Sequence, residues 1–310
     1  MNCILCGSSN NKIIYNYTRF EKNNILQCLD CELVFLETTQ SKEDISDFYS
    51  NGYRTQTNNP ILSPDALFRD PIVQQDCRDC LEWLQSIYGG LKDKKVVEIG
   101  SASGSFLATL KEAGAIAIGV EPNIEQTSYS RGLGLDIVSS FEAINFENLD
   151  CVVMFHTLEH IMDPIPLVKS IYSSLKPGGK LIGEVPNQDD WRISIFDYDV
   201  AKRLHYDPSH YYYYSSLTLY KLLHNSFYSK SIELSTVERY NSFRQLREIL
   251  ADRWATIPIE TALRHYIFSK PESDVRLKPS LLYEVEFNRL FSAGVNSEYK
   301  GNCLRWVATK

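Results

Sequence analysis

The sequence predicts an α/β fold: a mostly parallel sheet with helices on both faces, a small cysteine-bearing module before it, and a helical insertion ahead of the last strand. Three observations predict it. From Lys94 onward, short apolar runs alternate with segments of helical periodicity, the pattern of strand–helix–strand units. Two Cys-x-x-Cys pairs stand at the start of the chain, Cys3/Cys6 and Cys28/Cys31. The chain closes on "NCLRWVATK", an alternating stretch that reads as a strand rejoining the sheet after a long excursion.

The cysteine pairs come first. A two-residue gap lets two thiolates grip one tetrahedral ion from a tight turn, and two such knuckles complete four ligands. Between the pairs, "KIIYNYTRF" and "NNIL" read as short strands, and Gly7 stands where a knuckle turn often needs a residue without a Cβ. Residues 1–40 are therefore expected to form a zinc ribbon with Cys3, Cys6, Cys28 and Cys31 as ligands. Four thiolates leave no open position, so the zinc is structural. Cys77 and Cys80 also stand three apart, but in a stretch of helical periodicity, and are read as packing residues.

Residues 41–93 read as a helical linker, beginning polar with Tyr49 and Tyr53 interleaved and ending at Gly89-Gly90. Next come the strand "KKVVEIG", the helix "SFLATLKEAG" stopped by Gly114, the strand "AIAIGVEPN", the helix "IEQTSYSRGLG" and the strand "LDIVSS". "LDCVVMFHTLEHI" starts as a strand. "PIPLVKSIYSSLKPGG" is a helix closed by Pro177-Gly178-Gly179, and "KLIGEVPN" is the next strand. "SSLTLYKLLHNSF" and "KSIELSTVERY" add a helix and a strand. The core spans 94–240, the helical insertion 241–300, and the last core strand 301–310.

In "VEIGSASGSF" the glycines Gly100 and Gly104 follow a strand and open a helix. Small residues there let the backbone approach a ligand, and the helix start offers free amides. Taken alone, the loop suits a nicotinamide, a flavin or a sulfonium nucleoside. Two acids narrow the choice. Glu98 lies in the strand just before the loop, and Glu121 ends the second strand, where a carboxylate can hold both hydroxyls of a ribose.

From Glu98 to Glu121 the chain resembles the class I S-adenosylmethionine-dependent methyltransferases. Their first motif, an acid, a spacer and G-x-G-x-G, stands here as Glu98-Ile99-Gly100-Ser101-Ala102-Ser103-Gly104, with Ala102 in the place of the middle glycine. "DCVVMFHTLEHIMDP" and "LKPGGKLIGEVPN" resemble the family's fourth strand and its fifth. The resemblance implies a Rossmann-like, seven-stranded, mostly parallel sheet and S-adenosylmethionine as cofactor. It also implies residue roles. Glu98 would sit near the methionine amino group, Gly100, Ala102 and Gly104 would allow close backbone approach, and Glu121 would hold the ribose. Phe141 would pack on adenine, although Ser139 and Ser140 stand where many relatives carry an acid for the adenine amine. His156 would lie beside the methionine part or the acceptor. His156 reads equally well as a cap, and His160 as a packing residue.

Methyl transfer to a hydroxyl or an acidic carbon needs an aligned acceptor and a base. The segment after the fifth strand carries His205, His210 and the run Tyr211–Tyr214. Ribbon and core together resemble bacterial sugar C-methyltransferases acting on nucleotide-linked deoxysugars. Their segment H-E-H-x-x-Y-F-S matches "SHYYYYSS" from His210, with Tyr213, Tyr214 and Ser215 in the later places and Ser209 and Pro208 in place of the glutamate and first histidine. Their large C-terminal domain has no counterpart beyond the insertion. The resemblance implies His210 as base and Tyr213 and Tyr214 near a small acceptor, while His205 is a candidate contact by its place in the same segment. The acceptor is expected to be a sugar, nucleotide-linked or a surface-glycan precursor, and its O- or N-methylation fits at least as well as C-methylation. Trp191 and Arg192 read as packing or surface, with sugar or phosphate contact as the alternative. O- or N-methylation of another small metabolite is the rival reading.

A macromolecule methyltransferase and a non-catalytic cofactor-binding protein are further alternatives. The formal charge of −7 and a module with only Lys12, Arg19 and Lys22 as basic residues argue against a nucleic-acid partner. No apolar run reaches membrane-spanning length and no signal pattern opens the chain, so the expected address is the cytoplasm.

Overall fold

The computed structural model describes residues 1–19, 21–38, 63–145, 147–228, 231–239, 245, 249 and 281–310. The polar start of the expected linker, with Tyr49 and Tyr53, and most of the expected insertion lie outside the described residues. Two compact units emerge. One comprises Met1–Glu37, Glu184–Leu222 and Glu233–Trp306; the other comprises Thr38–Gly183, Leu223–Ile232 and Val307–Lys310.

The parallel part of the sheet is built from the expected units. Strand β4 (Lys95–Ile99) leads through helix α3 (Ser105–Glu112) to β5 (Ile116–Val120), then through α4 (Ile124–Gly132) to the short β6 (Ile137–Val138). β7 (Leu149–Phe155) precedes α5 (Pro164–Ser174) and β8 (Leu175–Pro186). β4 pairs in parallel with both β5 and β7, and β5 with β6. With β10 (Ser231–Val237) and β11 (Cys303–Thr309) the sheet has seven strands in the order β10-β11-β8-β7-β4-β5-β6. Asn187 N–H bonds Asn302 O at one end of β8 and Gly178 N–H bonds Lys310 O at the other, so β11 runs antiparallel to β8. This is the expected seven-stranded, mostly parallel sheet with its helices. One boundary moves: β8 begins at Leu175, because the "KPGG" stretch pairs with the chain's last residues instead of closing the helix as a free turn.

Helices α1 (Pro64–Phe68) and α2 (Pro71–Tyr88) follow strong start signals. Ser63 and Asp70 cap them with side-chain oxygens, each before a proline at the first helical position. Cys77, Cys80 and Leu84 are the buried face of α2 and join Leu107, Leu110, Val96 and Ile182 in the core of the second unit. Packing accounts for these two cysteines.

The first unit holds a four-stranded sheet, β1 (Asn11–Tyr15), β2 (Ile25–Cys28), β3 (Val34–Leu36) and β9 (Tyr212–Tyr213). Val34 pairs with Tyr213 and Phe35 with Tyr212. The core of this sheet is Ile25, Val34, Leu36, Tyr206 and Tyr213. An N-terminal module of forty residues has too little apolar surface to build a core alone, and here Tyr206 and Tyr213 complete it. The expectation of one continuous core over 94–240 is therefore redrawn: Glu184–Leu222, with helices α6 (Trp191–Ser194), α7 (Asp199–His205) and most of α8 (Ser216–Phe227), groups with the cysteine module. Of the expected insertion, α9 (Leu281–Ser297) is described. Trp191 is fully buried against Phe196 and Phe291, and Arg192 pairs with Asp190, so both are structural.

Candidate functional site

Strand order reverses at β4, with β5 on one side and β7 on the other. In such sheets the crevice beyond the carboxyl ends of the strands is the natural ligand site. A cavity of about 530 Å3 opens there. Its wall is supplied by residues at or just past the ends of β4 to β7: Gly100, Ala102, Glu121, Ser139, Phe155 and His156.

The loop after β4 is held by its neighbour strand. Gly100 and Ser101 both donate to Val120 O, at 2.9 and 3.1 Å, and Ala102 N–H donates to Glu121 Oε2 at 2.9 Å. Gly100 has φ 81°, and a Cβ there would lie 2.3 Å from Thr157 Oγ1, so glycine is required twice over. Ala102 has φ 45°, in the left-handed region where a Cβ costs about 1–2 kcal/mol. Ala102→Gly would relieve that strain but lose about 0.4–1 kcal/mol through the freer unfolded chain. A net gain of about 0 to 1.6 kcal/mol in urea unfolding is expected.

Glu121 is fixed by two backbone amides, with Asn123 N–H donating to Oε1 at 2.8 Å. Asn123 also caps α4 through its side-chain oxygen. Phe141 lies in the wall beyond β6, beside Glu142 and Gln126. Gly104 does not line the cavity. It caps α3 at φ 80°, and its missing side chain makes room for Leu135 Cδ1, 2.5 Å from where a Cβ would be. Its part is the turn and the packing rather than cofactor approach.

Glu98 is also absent from the wall. It is buried at 6% exposure behind the loop, and its Oε2 has no hydrogen-bond partner among the described residues. Burial, helped by repulsion from Glu121, pushes its carboxyl up to about 8. A buried carboxyl with an unpartnered oxygen is better satisfied by a cationic donor than by a neutral one.

His156 lines the cavity with φ 49° and a half-exposed side chain, its Nδ1 3.7 Å from Glu159 Oε1. The left-handed turn at His156 aims the chain so that Thr157 can donate to Ile99 O and Phe155 O. Thr157 was not legible from the sequence, because its place over Gly100 depends on that turn. His160 belongs to the same wall.

His205, His210 and the tyrosines lie in the first unit. His205 is 9% exposed, packed edge-on against Tyr206 and tilted against Tyr213, and bonded to Gln188 Oε1 at 3.2 Å. Tyr213 and Tyr214 are each 1% exposed, and Tyr213 OH donates to Asp207 O at 3.0 Å. Neither ring offers a face to a sugar. The expected substrate role of Tyr213, Tyr214 and His205 is corrected to packing: Tyr213 pairs with Val34, Tyr214 bridges to Asn187, and all four tyrosines of the run are buried. His210 is half-buried in the turn that precedes them.

The four N-terminal cysteines converge as the spacing requires. Their sulfurs lie within 4.8 Å of one another, with Cys3–Cys31 at 3.3 Å and Cys6–Cys28 at 3.5 Å. A tetrahedral ion with bonds of about 2.3 Å needs sulfurs about 3.8 Å apart. The two knuckles are near copies. Gly7 N–H bonds Cys3 O and Glu32 N–H bonds Cys28 O, with φ of 74° and 72°. The donor set fits zinc.

Residues 73–226 match a family model described as "Methyltransferase domain". Ubiquinone biosynthesis O-methyltransferase of Actinobacillus pleuropneumoniae is 28% identical over 122 residues, covering 35% of this chain and 52% of that protein. The protein of the same name from Haemophilus ducreyi is 30% identical over 113 residues, covering 32% and 48%. The chain thus spans about half the length of these relatives. A solved S-adenosylmethionine-dependent methyltransferase from Archaeoglobus fulgidus is 19% identical, covering 76% of this chain and 94% of its own, with a TM-score of 0.49. No helix among the described residues is long and apolar enough to cross a membrane. The matched segment, with its glycine loop, the amide-held Glu121 and the switch-point cavity, is a class I S-adenosylmethionine-dependent methyltransferase domain.

Proposed function

We propose that this chain transfers a methyl group from S-adenosylmethionine to a hydroxyl oxygen of a small metabolite. The observation that carries the reading is the cavity at the ends of β4 to β7, with Glu121 locked in its wall by the amides of Ala102 and Asn123. Glu121 would hold the ribose, Phe141 the adenine, Gly100 and Ala102 the backbone approach, and Glu98 the amino group. When bound, the cofactor supplies a methyl carbon made electrophilic by its sulfonium. The protein's task is to align an acceptor oxygen opposite the departing sulfur and to take the oxygen's proton. His156, in the cavity wall beside Glu159, and His210 are the proposed bases. Oxygen is favoured as the acceptor atom because the curated relatives are named O-methyltransferases. A sugar hydroxyl is the narrower form of the proposal and rests on the resemblance of ribbon and core to sugar methyltransferases and on the "SHYYYYSS" match. The cysteine cluster is proposed to hold one structural zinc.

The test is incubation with methyl-labelled cofactor and two panels, hydroxylated phenols and nucleotide sugars. Ether-linked label on a small molecule is expected, with the rate falling about 100-fold or more in His156→Ala or His210→Ala, whichever residue is the base. Label found only in RNA or protein fractions would overturn the proposal.

A further inference from the structure

Arg19 drew notice in the sequence only as one of three basic residues in an acidic chain's N-terminal module. In the structure it reaches three points of the segment that leads to His210. Its N–H donates to Tyr206 O at 3.0 Å, its Nη2 to Leu204 O at 3.0 Å, and its Nη1 pairs with Asp207 Oδ2 at 3.0 Å. Asp207 is the hub of the turn that follows. Its Oδ1 accepts from Ser209 N–H at 2.9 Å and Ser209 Oγ at 2.6 Å. Its carbonyl accepts from His210 N–H at 3.0 Å and Tyr213 OH at 3.0 Å. Burial alone would raise the Asp207 carboxyl, but the nearby His210 and Arg19 side chains and the Ser209 bonds hold it below the usual range.

The segment is tied to the cysteine module on either side of this turn. Upstream, Tyr15 OH donates to Asp199 and the Arg203 guanidinium lies 4.8 Å from the Tyr17 ring. Downstream, β9 pairs with β3, and Leu36 N–H bonds Tyr211 O. Between these ties the chain must turn through Asp207-Pro208-Ser209-His210, and the Arg19 guanidinium gathers Leu204 O and the Asp207 carboxylate just ahead of that turn while its backbone N–H holds Tyr206 O. Its planar fork suits such convergence in a way a lysine ammonium does not.

We propose that Arg19 is a positioning residue: through Asp207 it uses the cysteine module as a scaffold that fixes the turn presenting His210 to an acceptor. The module then has an intramolecular task, holding the acceptor segment, in place of recognising a macromolecule. The inference rests on the reading of His210 as a base.

The test uses the full metal-loaded chain with Arg19→Met and Arg19→Lys. Hydrogen exchange of the Ser209 and His210 amides is expected to rise about tenfold or more in Arg19→Met, the ratio that loss of one net charged hydrogen bond allows. Exchange in β7 and affinity for S-adenosylhomocysteine should stay unchanged, while the turnover number for the acceptor found in the panels falls at least tenfold at constant cofactor KM. Arg19→Lys should fall between. Unchanged exchange at Ser209 and His210, or equal loosening of β7, overturns the inference. So does full turnover in Arg19→Met when His210→Ala abolishes it. Full turnover in His210→Ala would remove the reading beneath the inference, whatever Arg19→Met does.

Discussion

Glu98→Gln is expected to stabilise the ligand-free protein and to weaken its hold on S-adenosylhomocysteine. The folded carboxyl keeps its proton up to about pH 8, against an ordinary value of 4.5, chiefly because it is buried and secondarily because Glu121 is near. Between those values the unfolded chain has released a proton that the folded chain retains. Stability is therefore complete below pH 4.5 and falls as pH rises toward 8, by about 1.4 kcal/mol per unit. Glutamine has no proton to release, so the advantage of Glu98→Gln grows with pH and reaches about 3 kcal/mol at pH 7. Urea unfolding at pH 5 and pH 7 measures it. Binding should show the opposite sign. A ligand ammonium favours ionised Glu98, so wild-type affinity should increase with pH up to about 8 with proton release. Calorimetry in two buffers should find that release absent in Glu98→Gln. Equal affinity and an equal pH profile in the variant would separate Glu98 from the cofactor.

Removing metal should unfold the first sheet while sparing the cofactor cavity. About one zinc per chain is expected in purified protein, released by a strong chelator and absent from Cys28→Ser. Structural zinc contributes on the order of 10 kcal/mol to small modules. The core here is five buried side chains, two of them borrowed from Tyr206 and Tyr213. Without the ion, hydrogen exchange should open over 1–38 and through Tyr211–Tyr213, while S-adenosylhomocysteine affinity holds. Protein free of metal as purified, with Cys28→Ser unchanged in exchange, would show that the four sulfurs serve packing alone.

The alternation from Lys94 was legible because each strand there is a short apolar run between a capped or glycine-stopped helix and a loop. Asn123 caps α4, Gly114 follows α3, and Asp70 with Pro71 opens α2. These are local signals, set by backbone hydrogen bonding and φ preferences within a few residues. The two cysteine knuckles and the Glu98–Glu121 pair were legible for the same reason, since their spacing places them on adjacent turns and strand ends. The run Tyr211–Tyr214 misled. Alternation along a strand places side chains on opposite faces, which suggested that some would be free for a sugar. All four are buried, because the run itself joins the cysteine module's sheet as β9, paired with β3.

The sequence by itself determined the kind of sheet, the loop after β4, the acids on either side of it and the clustering of four thiols. Tertiary structure alone decided that Glu98 is buried without a partner for its Oε2, that Gly104 makes room for Leu135, that Thr157 packs over Gly100, and that Arg19 clasps Asp207. The first set depends on neighbours in the chain. The second depends on which distant segments share a core, and burial, which sets both the charge of Glu98 and the fate of the tyrosines, is a property of that sharing.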